Sequence, residues 1–200
     1  MVKIGVAGAY GAFGLKHLDA LANIKEAEVT TIFGPNQSKI EALAAERKIV
    51  KACTTYEEFL DQDIDAVILS TPTQLHAQQS IAAMQAGKHT FAEIPMADSL
   101  ADTETMHAAQ VKTGVVGMVG HVRRFNPSHQ WVRQRIDAGE FNIQQMDAQT
   151  YFFRRTNTNA KGEARSWTDH LLWHHACHTI DLFMYQTCLL YTSPSPRDRG

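Results

Sequence analysis

The chain has 200 residues, of which 44% are hydrophobic, enough for one substantial core or for one domain and part of another. Its 19 Lys and Arg against 21 Asp and Glu leave no charge excess, which argues against nucleic acid or an anionic membrane and for a small-molecule partner. No apolar run approaches the about 18 residues of a membrane span, the start shows no signal peptide, and Cys53, Cys177 and Cys188 have neither metal-ligand spacing nor an even count, so a cytoplasmic protein is expected.

The first predicted element is a strand over residues 2–7, VKIGVA. It runs into Gly8-Ala9-Tyr10-Gly11-Ala12-Phe13-Gly14 and then a helical pattern over 13–22. Glycine lets the backbone turn, approach a pyrophosphate and pack closely, while the helix N-terminus offers free N–H groups to the anion. Gly8, Gly11, Ala12, Phe13 and Gly14 are therefore candidate cofactor contacts. The spacing is one residue longer than Gly-x-Gly-x-x-Gly, and Tyr10 is the extra residue.

Further strands are predicted over 29–33, 66–69, 90–92 and 115–119, alternating with helices over 38–47, 55–60, 75–86 and 101–113. That alternation implies a parallel α/β sheet over 1–119 with helices on both faces, and ligands in such sheets bind beyond the carboxyl ends of the strands. The loop after residue 33 reads Gly34-Pro35-Asn36-Gln37-Ser38-Lys39 and contains no acid. NAD enzymes commonly place Asp or Glu there for the ribose diol, so NADP is expected, with Asn36, Ser38 and Lys39 as phosphate contacts and NAD as the alternative. Ser70, Thr71, Pro72, Thr73 and His76 in the next such loop, and Glu93, Ile94 and Pro95 in the last, complete the candidate cofactor set. Pro72 and Pro95 also read as ordinary strand terminators.

After Gly120 the rhythm changes. A helix follows Pro127, a β-prone strand is predicted over 143–153, and a polar loop leads to a helix bearing His170, His174, His178 and Asp181. Residues 120–187 read as the beginning of an α+β domain. A lone histidine is more often a satisfied core residue or an exposed one. Three on one helix face, downstream of a nucleotide-binding signature, point instead to proton transfer. His174 and His178 also have the spacing of a zinc pair, but no third ligand is evident and no metal is expected. Residues 188–200, CLLYTSPSPRDRG, break the pattern and read as a translated adapter, so the natural protein is expected to continue past about Gln186.

With residues 8–14, Ser70 to His76, Ala86-Gly87-Lys88-His89, Glu93-Ile94-Pro95 and Arg124-Phe125 in view, the chain resembles the glucose-fructose oxidoreductase and inositol dehydrogenase family over residues 1 to about 186. The resemblance implies a Rossmann domain followed by an open, mainly antiparallel sheet with helices, and a homo-oligomeric full-length protein. GHVRRFNPSHQ, IQQMDAQTYFFRR and NAKGEARSWTDHLLWHHACHTIDLF are similar to a branch acting in protocatechuate 4,5-cleavage. That branch implies NADP-dependent oxidation of a carboxylate-bearing cyclic hemiacetal to a lactone.

Family members usually carry Glu-Lys-Pro where this chain has Glu93-Ile94-Pro95, and an aspartate where it has His174. The implied relay is histidine with histidine. His178 is the expected base and His174 the group that orients it or passes the proton on, although the reverse assignment stays open. Arginine binds carboxylates through paired hydrogen bonds, so Arg124 and one of Arg154 or Arg165 are expected at the substrate, with Trp167 and His170 beside it. A sugar or cyclitol dehydrogenase of the same family and a non-catalytic NADP-binding sensor are the competing readings. The chain ending at residue 200 is expected to bind NADP weakly and to lack appreciable turnover, because a single strand in the second domain cannot satisfy its own backbone.

Overall fold

The computed structural model describes residues 1–151, 158 and 175–187. The chain divides into two units, Met1–Gly120 and His121–Gly200. In the first unit, β1 (Val2–Ala7), β2 (Ala27–Phe33), β3 (Lys51–Cys53), β4 (Ala66–Leu69), β5 (His89–Ala92) and β6 (Gly117–Val119) alternate with α1 (Ala12–Leu21), α2 (Gln37–Arg47), α3 (Tyr56–Leu60), α4 (Thr73–Gln85) and α5 (Leu100–Thr113). The strands form one sheet in the order β3-β2-β1-β4-β5-β6, with every pairing parallel. The order reverses between β1 and β4, which opens a crevice at their carboxyl ends.

Two apolar clusters hold this layering. Ile4, Val6, Leu18, Ile32, Ile40 and Leu43 form one, and Phe33, Phe59, Ile64, Val67, Leu69 and Met106 are among the residues of the other. Gly5 explains how the helix after β3 reaches the sheet: a Cβ there would lie 2.6 Å from Phe59 Cζ, so the absent side chain makes room for a fully buried ring. Burying a ring of that size stabilises by about 1.5–3 kcal/mol relative to leaving it in water.

Side-chain caps start three helices of the first unit. Asn36 accepts from the Lys39 N–H, Thr55 from that of Glu58, and Ser99 from that of Asp102, each satisfying a donor that the first turn cannot. The sequence pattern missed β3. Its three residues are too few to show a period, and they are strand because they pair with Thr31, Ile32 and Phe33 of β2.

The second unit contains a 3-10 turn over Val122–Phe125, α6 (Pro127–Asp137) and α7 (Ala176–Thr187). Asn126 caps α6, and Pro127 occupies its first turn, where a missing N–H costs nothing. Two bonds tie α6 to α7: Arg133 donates to Tyr185 O at 2.6 Å, and Gln186 donates to His129 O at 2.8 Å. The strand expected over 143–153 is not formed in its described part. Residues 143–151 carry no strand and are exposed except for Ile143 and Met146. No strand of this unit lies beside them among the described residues, so an alternating pattern has no ladder to join.

Candidate cofactor cradle and histidine cluster

The glycine turn is built against the ends of β2 and β4. Gly8 donates its N–H to Phe33 O at 2.9 Å, and Gly11 donates to Gly8 O at 2.9 Å. Gly8 has φ +75, and a Cβ there would stand 2.6 Å from Ser70 O. Gly14 is required for a different reason: its Cβ would collide with Gly8 O and lie 2.7 Å from Ala9 Cα, all of it backbone that cannot yield. The turn thus lets α1 start hard against β1. Gly11 is the N-cap residue of α1 and no side chain caps that end, so the first-turn N–H groups near Ala12 and Phe13 are left for an anion.

The loop after β4 supplies an open polar group. Ser70 Oγ is buried without a hydrogen-bond partner among the described residues, at the carboxyl end of a central strand. An orphaned hydroxyl beside a glycine cradle fits a dinucleotide that would satisfy it. Thr71 is otherwise engaged, donating from Oγ1 to Gln79 Oε1 at 2.6 Å. Pro72 and Thr73 start α4.

His76 belongs to the framework and not to the surface of this cradle. It is 1% exposed, with Nδ1 2.9 Å from Pro95 O and Nε2 2.8 Å from Thr71 O. The ring clamps the loop after β4 to the loop after β5. In the latter loop Ile94–Pro95 is a cis peptide, Ile94 donates its N–H to Glu93 Oε2 at 3.3 Å, and His17 Nε2 lies 2.7 Å from Glu93 Oε1. His17 also meets Phe91 edge-on at 5.4 Å between ring centres.

At the end of β2, Asn36 Oδ1 accepts from the Lys39 N–H and from Ser38 Oγ, both at 3.0 Å. Those two expected phosphate contacts, Asn36 and Ser38, therefore bond to each other as a helix cap. Lys39 is exposed. A separate cavity of about 100 Å³, lined by Met84, Met96, Met106 and Met118 among others, lies at the β5–β6 side of the sheet, away from the glycine turn.

In the second unit, Asp181 gathers the charged groups. It is 7% exposed and takes Arg124 as a two-pronged partner, with Arg124 Nε at 2.9 and 3.1 Å from its oxygens and the terminal Arg124 nitrogen closer still. Arg124, expected at the substrate, has its planar fork on a carboxylate of this chain, that of Asp181. His121 Nδ1 lies 3.6 Å from Asp181 Oδ2, within ion-pair reach but too long for a hydrogen bond.

His178, in the first turn of α7, is half-buried with Nδ1 lacking a partner among the described residues. Burial holds its pKa below the ordinary 6.5, and the nearby Arg123, His175 and His121 push in the same direction against the opposing pull of Asp181. His121 is also lowered, first by burial, with Arg124 adding to it and Asp181 opposing. A neutral imidazole at neutral pH is a proton acceptor, which is the state a general base needs.

His174, Arg154, Arg165, Trp167 and His170 lie outside the described residues. Among the described residues no three His, Cys, Asp or Glu side chains form a group able to hold a metal ion, and no helix is long and apolar enough to cross a membrane. Sequence reasoning missed His17, Gln79 and His121, and it gave the side chain of Tyr10 no role. Each gains its partner only through the fold: His17 and Glu93, for instance, are 76 residues apart.

Residues 2–121 match the family described as the oxidoreductase family with an NAD-binding Rossmann fold, and residues 127–193 match bacterial oxidoreductases, C-terminal. The chain is 58% identical over 186 residues to 4-carboxy-2-hydroxymuconate-6-semialdehyde dehydrogenase of Sphingobium sp. (strain NBRC 103272 / SYK-6), covering 92% of this chain and 59% of that protein. It is 35% identical to scyllo-inositol 2-dehydrogenase (NAD(+)) of Bacillus subtilis (strain 168), over 66% of this chain and 39% of that protein. In fold it is similar to scyllo-inositol dehydrogenase from Lactobacillus casei, solved with bound NAD(H) and scyllo-inositol, at TM-score 0.78 and 22% identity over 94% of this chain and 56% of that one. The chain thus spans about three fifths or less of these relatives. With its glycine turn, strand order and residues 2–121 all matching, the chain belongs to the glucose-fructose oxidoreductase and inositol dehydrogenase family of oxidoreductases with an NAD-binding Rossmann fold.

Proposed function

We propose that the protein carrying this chain oxidises the hemiacetal of 4-carboxy-2-hydroxymuconate semialdehyde to 2-pyrone-4,6-dicarboxylate with NADP. The observation that carries this reading is the 58% identity to the Sphingobium semialdehyde dehydrogenase across 92% of the chain. The family alone would leave the substrate open, since its relatives also include inositol dehydrogenases.

Bound NADP supplies the hydride acceptor, and the protein supplies geometry and proton handling. The hemiacetal carbon gives up its hydride while its hydroxyl loses a proton, and the carbon–oxygen single bond becomes the lactone carbonyl. His178 is the proposed acceptor of that proton, because burial first and then the Arg123 charge favour its neutral ring. His174 is the proposed partner that orients the base or passes the proton on. With Arg124 held by Asp181, the substrate carboxylates fall to Arg154 or Arg165 in this proposal, with Trp167 and His170 beside the ring. The preference for NADP rests on the loop Gly34 to Lys39, which has no carboxylate to hold a ribose diol.

The test joins residues 1–187 to the remaining C-terminal portion of the Sphingobium relative and follows nicotinamide reduction with each candidate substrate. The expected result is NADP reduction with the semialdehyde hemiacetal and none with scyllo-inositol. Turnover of inositol with the hemiacetal inert would replace this reading with that of a cyclitol dehydrogenase.

A further inference from the structure

Tyr10, the residue that lengthens the glycine turn, does not point idly into solvent. The Asn36 backbone N–H donates to its hydroxyl at 3.2 Å. Its ring lies across Gly34 so closely that a Cβ at position 34 would meet Tyr10 Cδ1 and Cζ at 3.0 Å and Cε1 more closely still. The Lys39 ammonium stands over the same ring, 5.9 Å from its centre. The extra residue in the turn and the side-chain-free position after β2 are thus one fitted feature, and a cation is docked on it.

The place of this feature in the fold gives it meaning. In a sheet of this strand order the pyrophosphate sits at the glycine turn, and the adenosine ribose reaches the end of the second strand, where its 2′ position is read. Gly8 and Ala9 both donate to Phe33 O, at 2.9 and 3.3 Å, so the turn and the end of β2 are held side by side. A phenol that accepts one hydrogen bond from Asn36 keeps its own O–H to donate. Lys39 pairs with no carboxylate among the described residues. Asn36 Oδ1 and Ser38 Oγ, in contrast, are bonded to each other within the cap of α2. One hydroxyl with a proton to donate and one cation that pairs with no carboxylate among the described residues form a reader for a phosphate monoester.

We propose that Tyr10 is the specificity-determining residue for the 2′-phosphate, donating to it directly and holding Lys39 over its ring as the matching charge. This inference rests on the reading that the unit binds NADP and assigns that preference to named atoms. Arginine, the residue often found at such sites, is replaced here by a lysine whose flexible stem is steadied on an aromatic face. Gly34 contributes by having no side chain to displace the ring.

The test is direct binding to the protein made of residues 1–187 and the relative's C-terminal portion, with no turnover involved. Isothermal titration with 2′,5′-ADP and with 5′-AMP isolates the adenosine end, and NADPH against NADH repeats the comparison on the whole dinucleotide. Wild type is expected to prefer the 2′-phosphorylated member of each pair. Tyr10→Phe keeps the ring over Gly34 and should retain the fold and the Tm, yet cut that preference about tenfold, the scale of one hydrogen bond to a charged group. Lys39→Gln should cut it comparably, and affinity for 5′-AMP should change little in either variant. An undiminished preference in Tyr10→Phe overturns the assignment to Tyr10 while leaving the cofactor reading intact. A wild type that binds 5′-AMP and NADH as tightly as 2′,5′-ADP and NADPH, or binds none of the four, overturns the NADP reading and this inference with it.

Discussion

His17 Nε2 and Glu93 Oε1 lie 2.7 Å apart and join α1 to the loop at the end of β5, both side chains largely shielded from solvent. The pair ties the helix that begins at the glycine turn to the loop that stands where the family usually carries its lysine. A net hydrogen bond of this kind contributes about 1 kcal/mol. Glu93→Ala is therefore expected to lower the Tm by a few degrees, and Glu93→Gln, which keeps an acceptor oxygen, by less. Thermal unfolding followed by circular dichroism checks this, and equal Tm values for wild type and Glu93→Ala would show that the pair adds nothing to stability.

Gly14→Ala tests the close packing of the turn. Its Cβ would meet backbone atoms of Gly8 and Ala9, so the first turn of α1 must move. The expected cost is about 1–3 kcal/mol, as for overpacking elsewhere, with weaker binding of the pyrophosphate. Gly87 is the useful contrast: it has φ +75 but nothing within 4 Å of the place a Cβ would take, so Gly87→Ala costs only backbone strain, about 1 kcal/mol. Denaturant unfolding of both variants should rank Gly14→Ala as the more damaging, and the opposite order would contradict the close approach of α1 to β1.

Two histidines of the second unit, His121 and His178, should titrate low. His121 and His178 both have folded pKa values below the ordinary 6.5, with burial the first cause in each. Because the folded state resists protonation there, the stability these groups contribute is present above about 6.5 and lost as the pH falls through the lowered values. Arg123 is the second cause of the His178 shift, so Arg123→Gln should move the His178 midpoint upward. Titration of the imidazole carbon-bound protons by NMR reads this directly. A His178 midpoint at or above 6.5 in wild type would leave it unsuited to the role of a neutral base.

The parallel sheet was legible in the sequence because most of its strands are short apolar runs closed by a turn residue, and the glycine spacing marked the turn between β1 and α1. β3 escaped because pairing with β2, not periodicity, makes it a strand. In the second unit the alternating pattern over 143–153 promised a strand, and its described part, 143–151, carries none, because a pattern states which face would be buried and not whether a neighbour exists to pair with. Residue chemistry was legible more readily than engagement. Arg124 read as a carboxylate binder, and its partner in the structure, Asp181, lies 57 residues away, while Asn36 and Ser38 are bonded to each other in the cap of α2. His76 showed the same limit: a polar residue in a ligand-binding loop whose ring is turned inward onto two carbonyls.

Whether His178 is the base, as proposed, is decided by His178→Ala in the protein made of residues 1–187 and the relative's C-terminal portion. Turnover with the hemiacetal and the dissociation constant of NADPH are measured in the same preparation. The expected outcome is a fall in kcat of roughly a hundred- to ten-thousandfold with cofactor affinity unchanged. A His178→Ala protein that keeps near-normal kcat would show that the proton leaves by another group.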